Sequence, residues 1–298
     1  MQAQEHSLKS QSLVQLPFQL IFHNQKLTVR HDHDFHELVV VLRGMGLHCT
    51  ERTQHHLSPG DVFVIPPGEM HCYKNVENLF IANVLLDMER LLVPLDEWRQ
   101  FPGFAALFEV EPTLRKNQLH PRHFSLNVEG FTQVQTILEK LKNELTNKKS
   151  GYKRAAGSLI VELLVMIFRC YNTSSEPMTF QMTQLAKILQ FMQNNLHRKL
   201  TLQEIAAQGN MSIRTANRLF QSLLKTSPLQ HFMELRMEDA AKKLCNNIQP
   251  ISHIAYQYGF SDSNHFTTAF RRHFGMSPRE YLKNYSKQVF FDTNNNTK

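Results

Sequence analysis

The sequence predicts an α+β chain, with a β-barrel and a helical hairpin in the N-terminal half and an all-α domain in the C-terminal half. Three observations support this prediction. Short β-branched runs bounded by glycine and proline fill residues 18–125, helical periodicity fills residues 127–171, and one helical unit occurs twice after residue 200. The 298 residues, of which 42% are hydrophobic, suffice for two domains that each bury a core.

The β region contains short strands in close succession. The runs "LVVVL" (38–42) and "DVFVI" (61–65) are rich in β-branched residues, and Gly44, Gly60 and the segment "PPG" (66–68) interrupt the chain beside them. Strands this short and this closely spaced are typical of a sandwich or a barrel.

Two helices follow the β region. The first, "VQTILEKLKNEL", places five apolar residues on one face: Val134, Ile137, Leu138, Leu141 and Leu145. The second, "AAGSLIVELLVMIFRCY", is apolar over most of its circumference, which predicts burial within its own domain, against another subunit, or both. We therefore expect this hairpin to contribute to a homodimer.

The composition favours a cytoplasmic protein with no membrane partner. The longest apolar run, residues 159–168, contains Glu162 and is shorter than a bilayer span. The first residues lack the apolar core of a signal peptide. The four cysteines have no metal-binding spacing and are expected to be reduced thiols.

Domain boundaries follow from a polar segment and from the charge distribution. The segment "NTSSEP" predicts a linker over residues 173–180, between domains over residues 1–172 and 181–290, and the polar tail, residues 291–298, is expected to be disordered. Residues 1–179 contain 18 Lys and Arg against 19 Asp and Glu, whereas residues 180–290 contain 14 against 6. The second domain is therefore basic, which favours a polyanionic partner.

The basic domain contains an internal repeat. The segment "TLQEIAAQGNMS" (201–212) aligns with "PISHIAYQYGFS" (250–261) at an offset of 49 residues, and "FQSLLKTSP" aligns with "FRRHFGMSP" at an offset of 50. Each copy reads as a helix, a tight turn and a second helix. Thr201 and Glu204 have capping-box spacing, Ser212 and either Ser261 or Asp262 can cap the second helices, and Gly259 marks a turn.

The outward residues of the second helices are suited to DNA. Arg, Asn and Gln can read base edges in the major groove, and Ser and Thr can contact bases or phosphates. The predicted DNA-binding residues are Ile213, Arg214, Asn217, Arg218 and Gln221 in the first unit, and Ser263, Asn264, Thr267, Thr268 and Arg271 in the second. A connecting helix near residues 229–245 is expected to hold the units about 34 Å apart, so that one chain reads two successive major grooves of double-stranded DNA.

The repeat resembles the DNA-binding domain of the AraC/XylS family of bacterial transcription regulators. The resemblance covers about a hundred residues and is most specific in "YGFSDSNHFTTAFRRHFGMSP". Many members have a basic residue where this chain has Thr268, which implies weaker reading by the second unit. In the N-terminal half, "HDFHELVVVLRGMGLH", "SPGDVFVIPPGEMHCY" and "FPGF" resemble the sensor domain of the L-rhamnose activators.

The N-terminal half also resembles a cupin β-barrel. The series His31, His33, Glu37 and Gly44 fits its first motif, and the series from Gly60 through His71 to Asn75 fits its second. In cupin enzymes the positions matching His31, His33, Glu37 and His71 hold a divalent metal, and three imidazoles with one carboxylate suit such an ion. His31 and His33, two apart on a strand, should share one face.

These resemblances imply a transcription activator that responds to a small molecule, with a sugar such as L-rhamnose as the expected effector and RNA polymerase as a further partner. The predicted effector-binding residues are His31, His33, Phe35, Glu37, His71 and Tyr73. No catalytic residue or cofactor is expected, and a divalent metal at the four cupin positions is the alternative occupant. Two alternatives stay open: a metal-dependent cupin enzyme with an accessory DNA-binding domain, and a stress or virulence regulator that responds to another ligand.

Overall fold

The computed structural model describes residues 6–8, 13, 15–26, 28–91, 93–99, 101–116, 123–174, 176–246 and 249–284. The chain divides into two compact units, Met1–Lys187 and Ile188–Lys298. The tail predicted over residues 291–298 lies outside the described residues.

The first unit is built on an eight-stranded sheet. Its strands are β1 (His6–Leu8), β2 (Phe18–Asn24), β3 (His31–His33), β4 (His36–Thr50), β5 (Gln54–Leu57), β6 (Asp61–Ile65), β7 (His71–Leu86) and β8 (Phe124–Ser125). The long strands β4 and β7 pair with each other, β4 also pairs with β5 and β6, and β7 also pairs with β2 and β3. All pairs are antiparallel except β1 with β3, and this sheet confirms the predicted cupin-like domain.

Strand β4 is irregular at its middle, where its register against β7 shifts three times between Val41 and Leu47. Such bulges bend and twist a strand. Gly44 adopts a φ of +77°, and a Cβ placed on it would collide with the backbone of Asn78, so only glycine fits this bend. The apolar side chains of β4, β6 and β7, among them Val39 and Phe63, form a fully buried core.

Short helices and a long hairpin complete this unit. They are α1 (Leu95–Trp98), α2 (Pro102–Phe104), a π-helical segment (Ala105–Val110), α3 (Glu111–Lys116), α4 (Val128–Asn147) and α5 (Tyr152–Thr173). Helices α4 and α5 pack along each other and confirm the predicted hairpin. Asn127 caps α4 by accepting a hydrogen bond from the Gly130 N–H at 2.8 Å. Of the five residues predicted on its apolar face, four are buried, and Leu145 is half-buried.

Helix α5 is longer than its apolar run indicated. At 22 residues it is the one helix in the described part of the chain that is long and apolar enough to cross a membrane. Its inward residues Leu163, Leu164, Ile167 and Phe168 are completely buried within the unit. One face of the helix is therefore buried within the unit.

The remaining helices are α6 (Pro177–Asn194), α7 (Leu202–Gln208), α8 (Ile213–Leu223), α9 (Pro228–Asn246), α10 (Ile251–Gln257) and α11 (Ser263–Phe274), followed by a helical turn at residues 278–284. The division between the two units falls within α6, and the segment predicted as a linker contains the start of this helix at Pro177. The pairs α7–α8 and α10–α11 confirm the two predicted helix-turn-helix units, and α9 is the connecting helix.

The turns and caps of the two units follow their sequences. Thr201 and Glu204 form the expected capping box, Ser212 caps α8, and Asp262 rather than Ser261 caps α11. Gly259 has a φ of +69°, and Asn210, its counterpart 49 residues earlier, has a φ of +49°. Both turns therefore use a left-handed residue of a type that tolerates this conformation.

Candidate effector pocket and nucleic-acid interface

The predicted effector residues His33, Glu37 and His71 come together inside the sheet domain. Their ligand atoms lie within 4.8 Å of one another, and the residues are 2%, 5% and 1% exposed. His33 Nε2 lies 3.1 Å from Glu37 Oε2, within ion-pair distance but without hydrogen-bond alignment. His31 pairs with His71 across β3 and β7, and their rings lie 4.3 Å apart, but His31 is half-buried and stands beside the three-residue cluster.

Backbone carbonyls determine which ring nitrogens carry hydrogen. The Nδ1 atoms of His33 and His71 lie 2.8 Å and 3.0 Å from the carbonyls of Phe35 and Glu69. A carbonyl can only accept, so each Nδ1 donates, and the Nε2 of a neutral ring keeps its lone pair. Burial lowers the pKa of His71 to about 4, against the opposing effect of the Glu37 carboxylate, so His71 is neutral at pH 7.

The cluster is therefore rich in acceptors and poor in donors. Among the described residues, the buried Nε2 atoms of His33 and His71 have no hydrogen-bond donor. Two imidazole lone pairs and a carboxylate fit a divalent transition metal, and equally fit the hydroxyl groups of a polar ligand. The carbonyl contacts at Nδ1 are also those that orient metal-binding histidines.

The two predicted aromatic residues have different surroundings. The Phe35 ring stacks on His33 at 4.3 Å and packs with Leu13 and Leu85, so the protein itself covers this ring. Tyr73 is 2% exposed in the sheet core, and its hydroxyl has no hydrogen-bond partner among the described residues. Burial, and then the Glu37 carboxylate, raise the pKa of Tyr73 well above its usual value.

Helix α8 presents a polar face away from its core. Ala216, Leu219, Phe220 and Leu223 are buried as predicted. Three of the predicted DNA-binding residues on this helix are exposed, Arg214, Arg218 and Gln221, whereas Ile213 and Asn217 are half-buried. The Asn217 side chain donates to the Ile213 carbonyl at 3.1 Å.

Helix α11 repeats this arrangement with smaller side chains. Of its predicted DNA-binding residues, Asn264, Thr268 and Arg271 are exposed, whereas Ser263 and Thr267 are half-buried. The Thr268 hydroxyl donates to the Asn264 carbonyl at 2.9 Å, and Arg271 lies 3.9 Å from Glu280. Of the predicted core residues of this helix, Phe266 and Phe270 are buried and Ala269 and Phe274 are half-buried.

Comparison with known families accounts for both halves of the chain. Residues 18–164 match the model of an AraC-like ligand binding domain, and residues 205–284 match that of a helix-turn-helix domain. The chain belongs to the AraC family of transcription regulators. It is a DNA-binding regulator with a ligand-binding domain, and the matching relatives are regulators and not enzymes, which decides against the cupin-enzyme alternative.

Several relatives cover most of this AraC-family chain. The HTH-type transcriptional activator RhaS of Salmonella arizonae is 28% identical over 252 residues, 84% of this chain and 86% of the relative. The HTH-type transcriptional activator RhaR of Salmonella schwarzengrund is 29% identical over 258 residues, 86% of this chain and 88% of the relative.

Two of the matching solved structures each cover about a third of the chain. A crystal structure of an AraC-type transcriptional regulator from Chromobacterium violaceum is 31% identical, covering 34% of this chain and 91% of that one, with a TM-score of 0.33. The DNA-binding domain of AdpA in complex with a target DNA is 30% identical, covering 35% of this chain and 95% of that one, with a TM-score of 0.34.

A buried ionic network in the ligand-binding domain was not predicted from the sequence. Arg115 Nε lies 3.3 Å from Glu69 Oε1, and Arg115 Nη1 lies 3.9 Å from Glu111 Oε2. Arg115 also donates to the Val64 carbonyl, and the Tyr171 hydroxyl donates to Glu111 at 2.7 Å. Burial and the Glu111 carboxylate raise the pKa of Tyr171. The four-residue spacing of Glu111 and Arg115 is the one sequence signal of this network.

Further buried histidines were also missed. The His48 ring lies 5.9 Å from that of His71 and 5.4 Å from that of His123, and His123 lies 4.7 Å from His55. All three are at most 4% exposed. Burial, followed by His71, Arg115 and His55, lowers the pKa of His48 well below its usual value. Inward alternation on β4 and β5 is the signal that places His48 and His55 inside the sheet domain.

Arg236 of α9 is a further buried cation, in the DNA-binding unit. It is 4% exposed, and its guanidinium lies 4.7 Å from the ring centroid of Phe260 and 5.5 Å from that of Phe232. Burial lowers its pKa to about 10, so it stays charged at pH 7. Its stacking on Phe260 supports the turn of the second helix-turn-helix unit.

Proposed function

We propose that this AraC-family regulator activates transcription when a small neutral sugar, with L-rhamnose as the first candidate, binds inside the sheet domain. The observation that carries the proposal is the buried set of acceptors at His33, Glu37 and His71. Sugar hydroxyls supply the donors that these atoms need, because a buried polar atom without a partner is costly. The similarity to activators named RhaS and RhaR supports the choice of L-rhamnose.

The proposed effector-binding residues are those that the sequence indicated: His31, His33, Phe35, Glu37, His71 and Tyr73. In this proposal His31 closes the cluster from the more exposed side, since its ring contacts His71 at 4.3 Å. Phe35 acts by holding His33, on which it stacks. The Tyr73 hydroxyl provides a further polar atom at the buried side.

A divalent metal is the second candidate occupant, at His31, His33, Glu37 and His71. The convergence of two Nε2 atoms and one carboxylate favours it, together with the carbonyl contacts at both Nδ1 atoms. When bound, such a metal would neutralise the charge of the Glu37 carboxylate and could bind sugar oxygens as ligands.

A thermal melt of the full chain tests the effector class. L-rhamnose and a panel of other neutral sugars are each added with and without EDTA. A ligand at a hundred times its dissociation constant adds roughly 2.7 kcal/mol of stability, which raises the melting temperature by several degrees. A shift that EDTA leaves intact supports direct sugar binding, a shift that EDTA removes supports the metal, and no shift with any sugar contradicts the sugar sensor.

The outward faces of α8 and α11 form the proposed DNA interface. The residues are Ile213, Arg214, Asn217, Arg218, Gln221, Ser263, Asn264, Thr267, Thr268 and Arg271. Within the described part of the chain, Arg214 and Arg218 have no ion-pair partner, so their charges are available to DNA. Each unit would enter one of two successive major grooves.

Footprinting and salt titration test the DNA interface. Two protected major grooves per chain are expected, and protection of a single groove contradicts the proposal. Replacing Arg218 with Ala should reduce affinity for the operator by about 10- to 100-fold if it contacts a base. The control is Lys242→Ala, which removes an exposed charge from the connecting helix α9 and should leave affinity unchanged.

The remaining expectations are proposals about organisation. Residues 1–172 form the effector-binding and dimerisation domain and residues 181–290 the DNA-binding domain, joined near residues 173–180. We propose that α4 and α5 contribute to a homodimer, that the regulator is cytoplasmic, and that RNA polymerase is its partner at the promoter. Sedimentation of the full chain with and without L-rhamnose tests whether it forms a homodimer.

A further inference from the structure

A cavity lies beside the proposed effector cluster. It has a volume of about 200 Å³ and is lined by Thr50, Glu51, Arg52, Gly68, Glu69, Met70 and Arg115. Backbone contacts join it to the cluster, because the Glu69 carbonyl accepts from His71 Nδ1 and the Gly68 N–H donates to the His33 carbonyl at 2.8 Å. A ligand that fills one site is therefore next to the other.

Two lining residues have buried polar atoms that form no hydrogen bond with the described residues. Glu69 is 7% exposed and Arg115 is 1% exposed. Glu69 Oε2 and Arg115 Nη1 have no hydrogen-bond partner among the described residues. An acceptor and a donor of this kind, both buried and both on residues that line a cavity, need an explanation.

The pair is held firmly in place. Arg115 Nε lies 3.3 Å from Glu69 Oε1, and its Nη2 donates to the Val64 carbonyl on β6. These contacts leave Glu69 Oε2 and Arg115 Nη1 without a hydrogen bond, and the nearest charged atom to Nη1 is Glu111 Oε2 at 3.9 Å. The two side chains are thus preorganised, which lowers the entropic cost of binding a ligand in the cavity.

The net negative charge beside the cavity disfavours the binding of anions. One guanidinium is shared by two carboxylates, Glu69 and Glu111, at 3.3 Å and 3.9 Å. Glu51 and Arg52, two exposed residues that also line the cavity, carry opposite charges. A carboxylate or phosphate would meet a net negative charge, whereas a hydroxyl can donate to Glu69 and accept from Arg115.

We propose that Glu69 and Arg115 form a second polar subsite of the effector pocket, one that binds two neighbouring hydroxyl groups of a neutral polyol. One hydroxyl donates to Glu69 Oε2 and the next accepts from Arg115 Nη1. This inference rests on the proposed sugar-sensing function and identifies which part of the sugar is read away from the histidines. The carboxylate and the guanidinium together specify a diol rather than a single hydroxyl.

Titration calorimetry on the full chain tests the subsite with L-rhamnose, its monodeoxy analogues and L-rhamnonate. Glu69→Gln is expected to weaken L-rhamnose binding about 10- to 100-fold, because a hydrogen bond to a charged group is lost. The control Glu109→Gln changes a carboxylate that pairs with Arg99 on the surface at 3.0 Å, and should bind as the unchanged protein does. L-rhamnonate should bind more weakly than L-rhamnose.

The analogues keep the test valid if Glu69→Gln folds poorly. In the unchanged protein, two monodeoxy analogues altered at adjacent carbons should each bind at least 10-fold more weakly than L-rhamnose. Equal L-rhamnose affinity of Glu69→Gln and the unchanged protein, or no sensitive pair of adjacent hydroxyls, overturns the subsite while the sensor function stands. Absence of binding by every neutral sugar in the panel overturns both.

Discussion

Replacing Glu37 with Gln should make the ligand-free protein more stable, although the residue is buried in an apparent ion pair. The Nε2 of His33 lies 3.1 Å from Glu37 Oε2, and its Nδ1 already donates to the Phe35 carbonyl. In a neutral His33 both facing atoms are acceptors. A glutamine has the same shape and turns one of them into a donor.

The expected gain follows from the cost of a buried acceptor without a donor, about 1–3 kcal/mol. For a unit of this size each kcal/mol corresponds to roughly 2–4 °C in melting temperature. The measurement is a thermal melt and a urea titration in EDTA at pH 7.5, with Glu77→Gln as the control. Glu77 is an exposed carboxylate on β7, and its replacement should leave stability unchanged.

The opposite sign would refute this reasoning. If His33 carried a second proton on Nε2, Glu37→Gln would leave a buried imidazolium without its counter-ion, at a cost of about 3–5 kcal/mol. A destabilisation of that size would show that His33 and Glu37 form an ion pair rather than two hydrogen-bond acceptors without donors. In either case L-rhamnose should shift the melting temperature of the variant less than that of the unchanged protein.

Three further changes have defined outcomes. Tyr171→Phe removes the hydroxyl that donates to the buried Glu111 carboxylate. In urea titration it should lower the unfolding free energy by about 1.5–3 kcal/mol. The control, Tyr152→Phe at the start of the same helix, should have no effect. Gly259→Ala should cost about 1–2 kcal/mol for the left-handed backbone, and more because the added Cβ would lie 3.1 Å from Arg236 Nη2. At Gly275, an added Cβ has none of the described residues within 4 Å, so an equal or larger loss for Gly275→Ala would contradict the contact. Thr201→Ala should cost about 1 kcal/mol at pH 7. The effect should shrink on acidification, because hydrogen bonds from Thr201 and Arg198 lower the pKa of Glu204 to about 2, and the bond from the Thr201 hydroxyl to the carboxylate weakens as the pH falls below 4.5 toward that value. An effect that stays constant in urea titrations from pH 7 to pH 2.5 would contradict this.

The sequence was most informative where structure is local. Caps and turns depend on residues within one helical turn, so the box at Thr201 and Glu204 and the left-handed residue at Gly259 could be predicted from spacing alone. The same holds for the face of α8, where the periodicity of 3.6 residues separates Phe220 from Arg218. The convergence of His33 and His71 was implied by the cupin resemblance rather than by spacing.

Long-range pairing explains what the sequence did not reveal. Glu69 and Arg115 are 46 residues apart and meet because β6 and β7 bring the turn after β6 beside α3. Periodicity assigns such charged residues to the surface, since it contains no information about which partner will neutralise them. Arg236 was missed for the same reason, because its burial depends on the Phe260 ring, which the turn between α10 and α11 supplies.

If the proposed subsite binds a ligand, the contacts around Arg115 connect that ligand to helix α5. Glu69 lines the cavity, and Arg115 links it to Glu111. Glu111 in turn accepts from Tyr171 near the end of α5, six residues before α6 begins at Pro177. A ligand shifts a conformational equilibrium only by its difference in affinity for the two states. In the proposed subsite, a diol that accepts from Arg115 Nη1 would compete with the ion pair between that atom and Glu111 Oε2, so an arrangement of α5 favoured by that change would also be the arrangement that the ligand binds best.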